Sequence, residues 1–281
     1  VKDNYSDAII FSSGASRLVI FYPDSCIEVE MNSNTIDFRF HSSHAKNDIL
    51  RNSVTKVFDE ISIYVRWIYD ENMNSATVPV DQTLMPVDEM YPFLNGETLE
   101  SYYQRFMDSD SSILILIGPP GTGKTSFIRG FLLSTDSSAM VTYDEKLLGK
   151  DALFSEFIDG STGTLVIEDA DLMLGARKDG NHLMSRFLNV GSGLISTKGK
   201  KLIFSTNLPN IKDIDEALLR PGRAFDVVKF DELTTEQAKK LADKLNIKYN
   251  FNSEQTRHTV AEVFSGNKST PNKAKKQFGF I

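Results

Sequence analysis

Between Arg17 and Phe40 apolar and polar positions alternate with a period of two. Ile27, Val29 and Met31 interleave with Glu28 and Glu30, and Ile36, Phe38 and Phe40 with Asp37 and Arg39. Successive side chains leave a strand on opposite sides, so this rhythm predicts strands with one buried face. Pro23-Asp24-Ser25 and Asn32-Ser33-Asn34 carry turn chemistry between the runs, and residues 18–22, 26–31 and 35–41 are expected to form an antiparallel meander. Residues 61–69 (ISIYVRWIY) fit both a strand and a helix period and are read as a strand.

The pattern weakens over residues 72–96, where Asn, Pro and Asp are scattered, and a domain boundary is placed there. Beyond it, continuous apolar runs alternate with amphipathic stretches: ILILI at 113–117, AMVTY at 139–143, TLVIE at 164–168 and KLIFST at 201–206. Apolar strands separated by helices predict an α/β fold, with a parallel sheet covered on both faces. From Leu233 onward three helical segments are expected without strands, the last opening at Thr270-Pro271. The division expected is a small β-rich N-terminal domain over 1–93, an α/β domain over 94–231 and a helical appendix over 232–281.

Composition narrows the function classes. The 281 residues are 41% hydrophobic and 25% charged, the mixture of a globular chain of about two domains. A net charge of −7 supplies no general positive field for nucleic acid or an anionic membrane. The one cysteine, Cys26, closes no intrachain disulfide, which fits the cytoplasm or another reducing compartment. No apolar run reaches the roughly 20 residues of a membrane-spanning helix, and no secretory signal is read at the start.

The run G-P-P-G-T-G-K-T from Gly118 to Thr125 matches G-x-x-x-x-G-K-[ST], directly after one predicted strand and before a helical pattern. Gly118, Gly121 and Gly123 let the backbone turn successive N–H groups onto a phosphate, at a helix N-terminus whose dipole favours anions. Pro119, Pro120 and Thr122 complete the loop and Ser126 follows it, so Gly118 to Ser126 is the candidate ATP-binding segment. Lys124 is placed to neutralise the β- and γ-phosphates, and the Thr125 hydroxyl to hold Mg2+.

Three further groups carry chemistry. Glu168 and Asp169 end an apolar strand, with Asp171 two residues on, where a carboxylate pair holds Mg2+ through water and orients an attacking water. Asn207 ends KLIFST, and its amide has a γ-phosphate or the lytic water as candidate partners. Arg220 and Arg223 flank a Pro-Gly turn, from which a guanidinium reaches a neighbouring subunit's γ-phosphate.

GPPGTGKT, VIEDAD, FSTN and ALLRPGR, in this order and at these separations, resemble the AAA+ ATPase family from about residue 94 to the C-terminus. The likeness is greatest to the mitochondrial complex III assembly ATPase branch, of which this would be a divergent member. That branch also sets a β-rich domain before its ATPase module and writes Glu-Asp where most relatives write Asp-Glu. The resemblance implies a P-loop AAA+ core of five strands with a helical lid, ATP and Mg2+ between subunits, and a homo-oligomeric ring of six or seven. It implies Lys124 and Thr125 as phosphate and Mg2+ residues, Glu168 as the metal-side acid acting through water, and Asp169 as the residue polarising water. Asn207 becomes the first sensor, and Arg220 and Arg223 the arginine fingers. The activity implied is ATP hydrolysis that remodels or moves a macromolecule.

The chain departs from that pattern in places. Asp169 is one methylene shorter than the usual Glu. Where threading members carry an aromatic pore loop, this chain has Lys146-Leu147-Leu148-Gly149. No second-sensor arginine stands out in the lid, where Lys273 is the nearest cation. Two other functions are weighed: a nucleotide-gated DNA loader, opposed by the acidic balance, and a P-loop small-molecule kinase, which gives the arginines and Asn207 no task.

Overall fold

A computed structural model of the chain describes residues 9–12, 17–31, 36–43, 49, 63–81, 85–160, 162–174, 199–220 and 222–266. The chain divides into two compact units, Val1–Ser62 and Ile63–Ile281.

The first unit holds a four-stranded antiparallel sheet in sequential order, β1 (Ile9–Ser12), β2 (Arg17–Tyr22), β3 (Ser25–Met31) and β4 (Ile36–His41). Ile20 lies opposite Ile27, which lies opposite Phe40; Leu18, Val29 and Phe38 form the next such row. These side chains pack together on one face. The alternate positions pair charges across strands, Arg17 to Glu28 at 3.4 Å and Arg39 to Glu28 and Glu30 at 3.6 Å. The meander follows the alternation that predicted it; β1 escapes that signal because Ile9-Ile10-Phe11-Ser12 does not alternate.

The second unit is built on a seven-stranded sheet of β5 (Tyr64–Ile68), β6 (Ser75–Pro79), β7 (Ile113–Ile117), β8 (Ala139–Thr142), β9 (Thr164–Ile167), β10 (Lys201–Thr206) and β11 (Ala224–Lys229). Its order is β11-β7-β10-β9-β8-β5-β6, parallel throughout except for β6. Every residue of β7 is buried, because helices cover both faces. Ile113, Ile115 and Ile117 face α3 (Glu145–Leu148), α4 (Asp151–Asp159) and α5 (Asp171–Leu174). Leu114 and Leu116 face α1 (Leu99–Asp108), α2 (Lys124–Ser134), α6 (Thr235–Lys244) and α7 (Val260–Ser265).

The structure adds to the sequence reading in two places and corrects it in a third. Residues 61–69 do supply a strand, but β5 and its hairpin partner β6 extend the parallel sheet of the second unit instead of closing the N-terminal one. The apolar Val65 and Trp67 lie opposite Ala139 and Val141 on the edge of β8, and the second compact unit begins at Ile63. The sequence AFDVVK forms β11, unread because Asp226 interrupts it; a bulge between Ala224 and Asp226 absorbs the irregularity. The appendix is not strand-free. The antiparallel pair β12 (Leu233–Thr234) and β13 (Arg257–His258) ties the start of α6 to the start of α7.

Both α6 and α7 begin with a reciprocal cap, Thr234 with Gln237 and Thr259 with Glu262. The helix expected at Thr270-Pro271, with Lys273, lies outside the described residues. Among the described residues no helix is long and apolar enough to cross a membrane.

Candidate nucleotide site

The glycine-rich loop springs from the carboxyl end of β7, between its two neighbours. The Gly118 N–H donates to the Thr206 carbonyl of β10 at 3.2 Å, and the Phe230 N–H, just past β11, donates to the Ile117 carbonyl at 2.7 Å. A Cβ on Gly118 would lie 2.1 Å from the Phe230 carbonyl oxygen, so only glycine fits there. At the other end Gly123 has φ +96° and caps α2, the left-handed turn that aims the helix N-terminus at the loop.

Lys124, the first residue of α2, is buried. Its Nζ donates to the carbonyls of Gly118 at 2.6 Å and Pro119 at 3.1 Å and to Asn207 Oδ1 at 2.9 Å. These acceptors offset the cost of desolvating an ammonium. Burial holds its pKa below the ordinary lysine value, against the opposing pull of Asp169, Asp171 and Glu168. Thr122 turns away from the cavity and donates to the Pro119 carbonyl at 2.8 Å, which braces the loop from behind.

The acids arrive from β9. The Glu168 N–H donates to the Thr142 carbonyl at 3.0 Å, and Glu168 Oε1 accepts the Thr125 hydroxyl at 2.9 Å. Asp169 adopts φ +51°, a left-handed conformation uncommon outside glycine. Its Oδ1 accepts from Asn207 Nδ2 at 3.2 Å. Asp171, at the start of α5, accepts the Asn207 N–H at 2.7 Å and the Thr206 hydroxyl, so it fixes the backbone from which Asn207 projects. The sequence singled out Asp171 as a neighbour of the pair; the fold makes it the anchor of Asn207.

These groups line one cavity of about 490 Å3, within the usual range for a small-molecule site. The loop contributes Pro120, Gly121, Gly123, Lys124, Thr125 and Ser126, while Glu168, Asp169, Ser205 and Asn207 form the opposite wall. Gly118, Pro119 and Thr122 do not line it; they shape the loop. Val260, Ala261 and Phe264 of α7 complete the enclosure. The Ala261 N–H donates to the Gly121 carbonyl at 2.9 Å, a contact between α7 and the loop that sequence reasoning missed because Val260, Ala261 and Phe264 carry no motif.

Arg220 and Arg223 are not brought to this cavity. Arg220 is exposed, whereas Arg223 is half-buried with Nη1 donating to the Ala217 carbonyl at 2.8 Å. The two are joined through the backbone, Arg223 N–H to Arg220 carbonyl at 3.2 Å, across a turn in which Gly222 has φ +84°. Leu147 and Leu148 of the Lys146–Gly149 stretch belong to α3 and are fully buried in the core that α3 helps to form.

Similarity agrees with this geometry. The family model described as "ATPase family associated with various cellular activities (AAA)" matches residues 114–232. A Caenorhabditis elegans protein named "ATP-dependent zinc metalloprotease YME1 homolog" is 28% identical over 164 residues, 53% of this chain and 22% of its own length. An Aspergillus niger "26S proteasome regulatory subunit 6B homolog" is 27% identical over 157 residues, 50% of this chain and 36% of its own. A Schizosaccharomyces pombe "26S proteasome regulatory subunit 8 homolog" is 29% identical over 135 residues, 42% of this chain and 33% of its own. The chain thus spans between 22% and 36% of the length of these curated relatives. The glycine-rich loop, the acidic strand end and Asn207, gathered in one cavity, all lie inside residues 114–232, the segment that resembles the AAA ATPase family.

Proposed function

We propose that the chain binds ATP with Mg2+, hydrolyses it within a homo-oligomeric ring and uses the cycle to remodel or move a macromolecular substrate. The observation that carries this reading is the convergence of Lys124, Thr125, Glu168, Asp169 and Asn207 on one cavity. Thr125 and Glu168 offer hard oxygen donors 2.9 Å apart, a donor pair suited to Mg2+, which keeps several waters and takes few protein ligands. When bound there with ATP, the ion would neutralise phosphate charge. Lys124 would exchange its carbonyl partners for phosphate oxygens, because its ammonium is a mobile donor on a flexible stem. In this reading Asp169, hydrogen-bonded to Asn207, accepts a proton from water, and the Asn207 amide positions that water or the terminal phosphate.

The separation of Arg220 and Arg223 from the cavity of their own chain supports a role across a subunit interface. The order of β-rich unit before ATPase domain, and of Glu168 before Asp169, supports a place near the complex III assembly ATPase branch. Relatives named as a protease and as proteasome subunits support a protein substrate over nucleic acid. Residues from 232 on act as the lid in this reading, as the Ala261–Gly121 contact suggests.

The test mixes two inactive proteins. The double variant Arg220→Ala/Arg223→Ala keeps its own P-loop, and Lys124→Ala keeps its arginines. Activity restored in the mixture, with specific activity rising with concentration for the wild-type chain, supports inter-subunit hydrolysis. A fully active double variant whose rate per chain is independent of concentration rejects it.

A further inference from the structure

We infer that Tyr91 is a positioning residue for the phosphate loop, holding the Gly123–Lys124 peptide so that its N–H faces the cavity. The inference rests on the nucleotide-binding reading above. Tyr91 lies between the short 3-10 turns Asp88–Met90 and Pro92–Leu94, outside the glycine motif and outside the matched segment. It is 1% exposed. Its hydroxyl donates to the Gly123 carbonyl at 3.1 Å, an oxygen that also accepts the Phe127 N–H of α2 at 2.9 Å.

A trans peptide is planar, with its C=O and N–H pointing opposite ways. Two donors on the Gly123 carbonyl therefore fix the direction of the Lys124 N–H, and both residues line the cavity. The ring adds a steric stop, since a Cβ on Gly123 would meet Tyr91 Cε1 at 3.3 Å. Tyr91 also stacks edge-on against Phe127 of α2 and Phe230, with centroids 5.3 and 5.7 Å away. Phe230 is the residue whose carbonyl crowds Gly118. Both ends of the loop thus rest on one aromatic pair, Tyr91 behind Gly123 and Phe230 behind Gly118. Burial raises the Tyr91 phenol pKa far above its ordinary value, so the group remains a neutral donor.

Tyr103 provides a matched control. It is equally buried, and its hydroxyl donates at 2.9 Å to the Phe127 carbonyl of the same helix, one turn beyond the loop. The experiment measures ADP dissociation constants and thermal midpoints for the full chain, Tyr91→Phe and Tyr103→Phe. Each variant loses one buried hydroxyl and keeps its ring. The expected result is ADP affinity weakened about 3- to 10-fold in Tyr91→Phe, the scale of one hydrogen bond, and unchanged in Tyr103→Phe despite a similar fall in midpoint. Wild-type affinity in Tyr91→Phe, or equal weakening in both variants, overturns the positioning role while leaving the nucleotide reading intact. Failure of the wild-type chain to bind ADP overturns both.

Discussion

Lys124 and Asn207, 83 residues apart in sequence, meet at 2.9 Å, the ammonium donating to the side-chain oxygen of the asparagine. The contact fixes the Asn207 amide's orientation, because an oxygen turned to Lys124 sends Nδ2 toward Asp169. Replacing Asn207 by Ala is expected to lower the rate of ATP hydrolysis on the order of 10²-fold, the scale of one lost transition-state donor. ADP affinity should change less than about threefold, within the scale of one hydrogen bond. Steady-state hydrolysis beside ADP titration checks this, and a loss of ADP binding as large as the loss of rate would assign Asn207 to ground-state binding instead.

Glu168 and Asp169 are separable by the same logic. Glu168 accepts the Thr125 hydroxyl and Asp169 the Asn207 amide. Glu168→Gln is expected to raise the Mg2+ concentration needed for half-maximal activity about tenfold. Asp169→Asn should leave that concentration unchanged and lower kcat on the order of 10²-fold, as loss of a general base does. Mg2+ titrations of hydrolysis for the two variants decide; an exchange of phenotypes would reverse the assignment.

The two arginines should part company. Arg223 holds the Ala217 carbonyl, so Arg223→Ala is expected to cost about 1 kcal/mol and to lower the thermal midpoint by about 2–4 °C. Arg220 is exposed, and Arg220→Ala should leave the midpoint in place while cutting the activity of the assembled protein about 10³-fold if it is the finger. Calorimetry and hydrolysis on the same samples check this. Full activity in Arg220→Ala leaves the finger role to Arg223 alone.

Three buried phenols set an alkaline limit. Desolvation raises the pKa of Tyr91, Tyr102 and Tyr103, and Tyr102 is raised further by its bond to Asp226. A folded-state pKa above the unfolded value near 10 gives stability that is fully present below about pH 10 and lost as pH rises beyond it. The loss is about 1.4 kcal/mol per pH unit for each phenol. Urea midpoints should therefore be level up to about pH 9.5 and fall steeply by about pH 11. Tyrosinate absorbance that appears before unfolding would contradict the burial argument.

What could be read in advance was what is local. The P-loop announced itself because its glycines, lysine and threonine are contiguous and flanked by a strand and a helix. Runs such as ILILI revealed a sheet covered on both sides because burial on both faces removes the polar alternate. Contacts made by folding were not legible. Nothing adjacent to Ala261 tells that its N–H meets Gly121, and Tyr91 is silent until Gly123 is folded against it. The arginines look equivalent as Arg-Pro-Gly-Arg, and only the Ala217 carbonyl separates them. The membership of β5 was not legible because it has the rhythm of the preceding meander while its parallel partner β8 is 70-odd residues downstream, a pairing that periodicity does not encode.

The placement of β5 also has a mechanical meaning. The second unit begins at Ile63 and β5 at Tyr64, so tension carried along the chain from the first unit enters the sheet at once. A pull along the β5 axis would be shared side by side by the ladders to β8 and β6. The next strand to bear that load is β8, whose terminal Thr142 carbonyl accepts the backbone N–H of Glu168. β8 thus links β5 directly to the peptide that carries the site's first carboxylate.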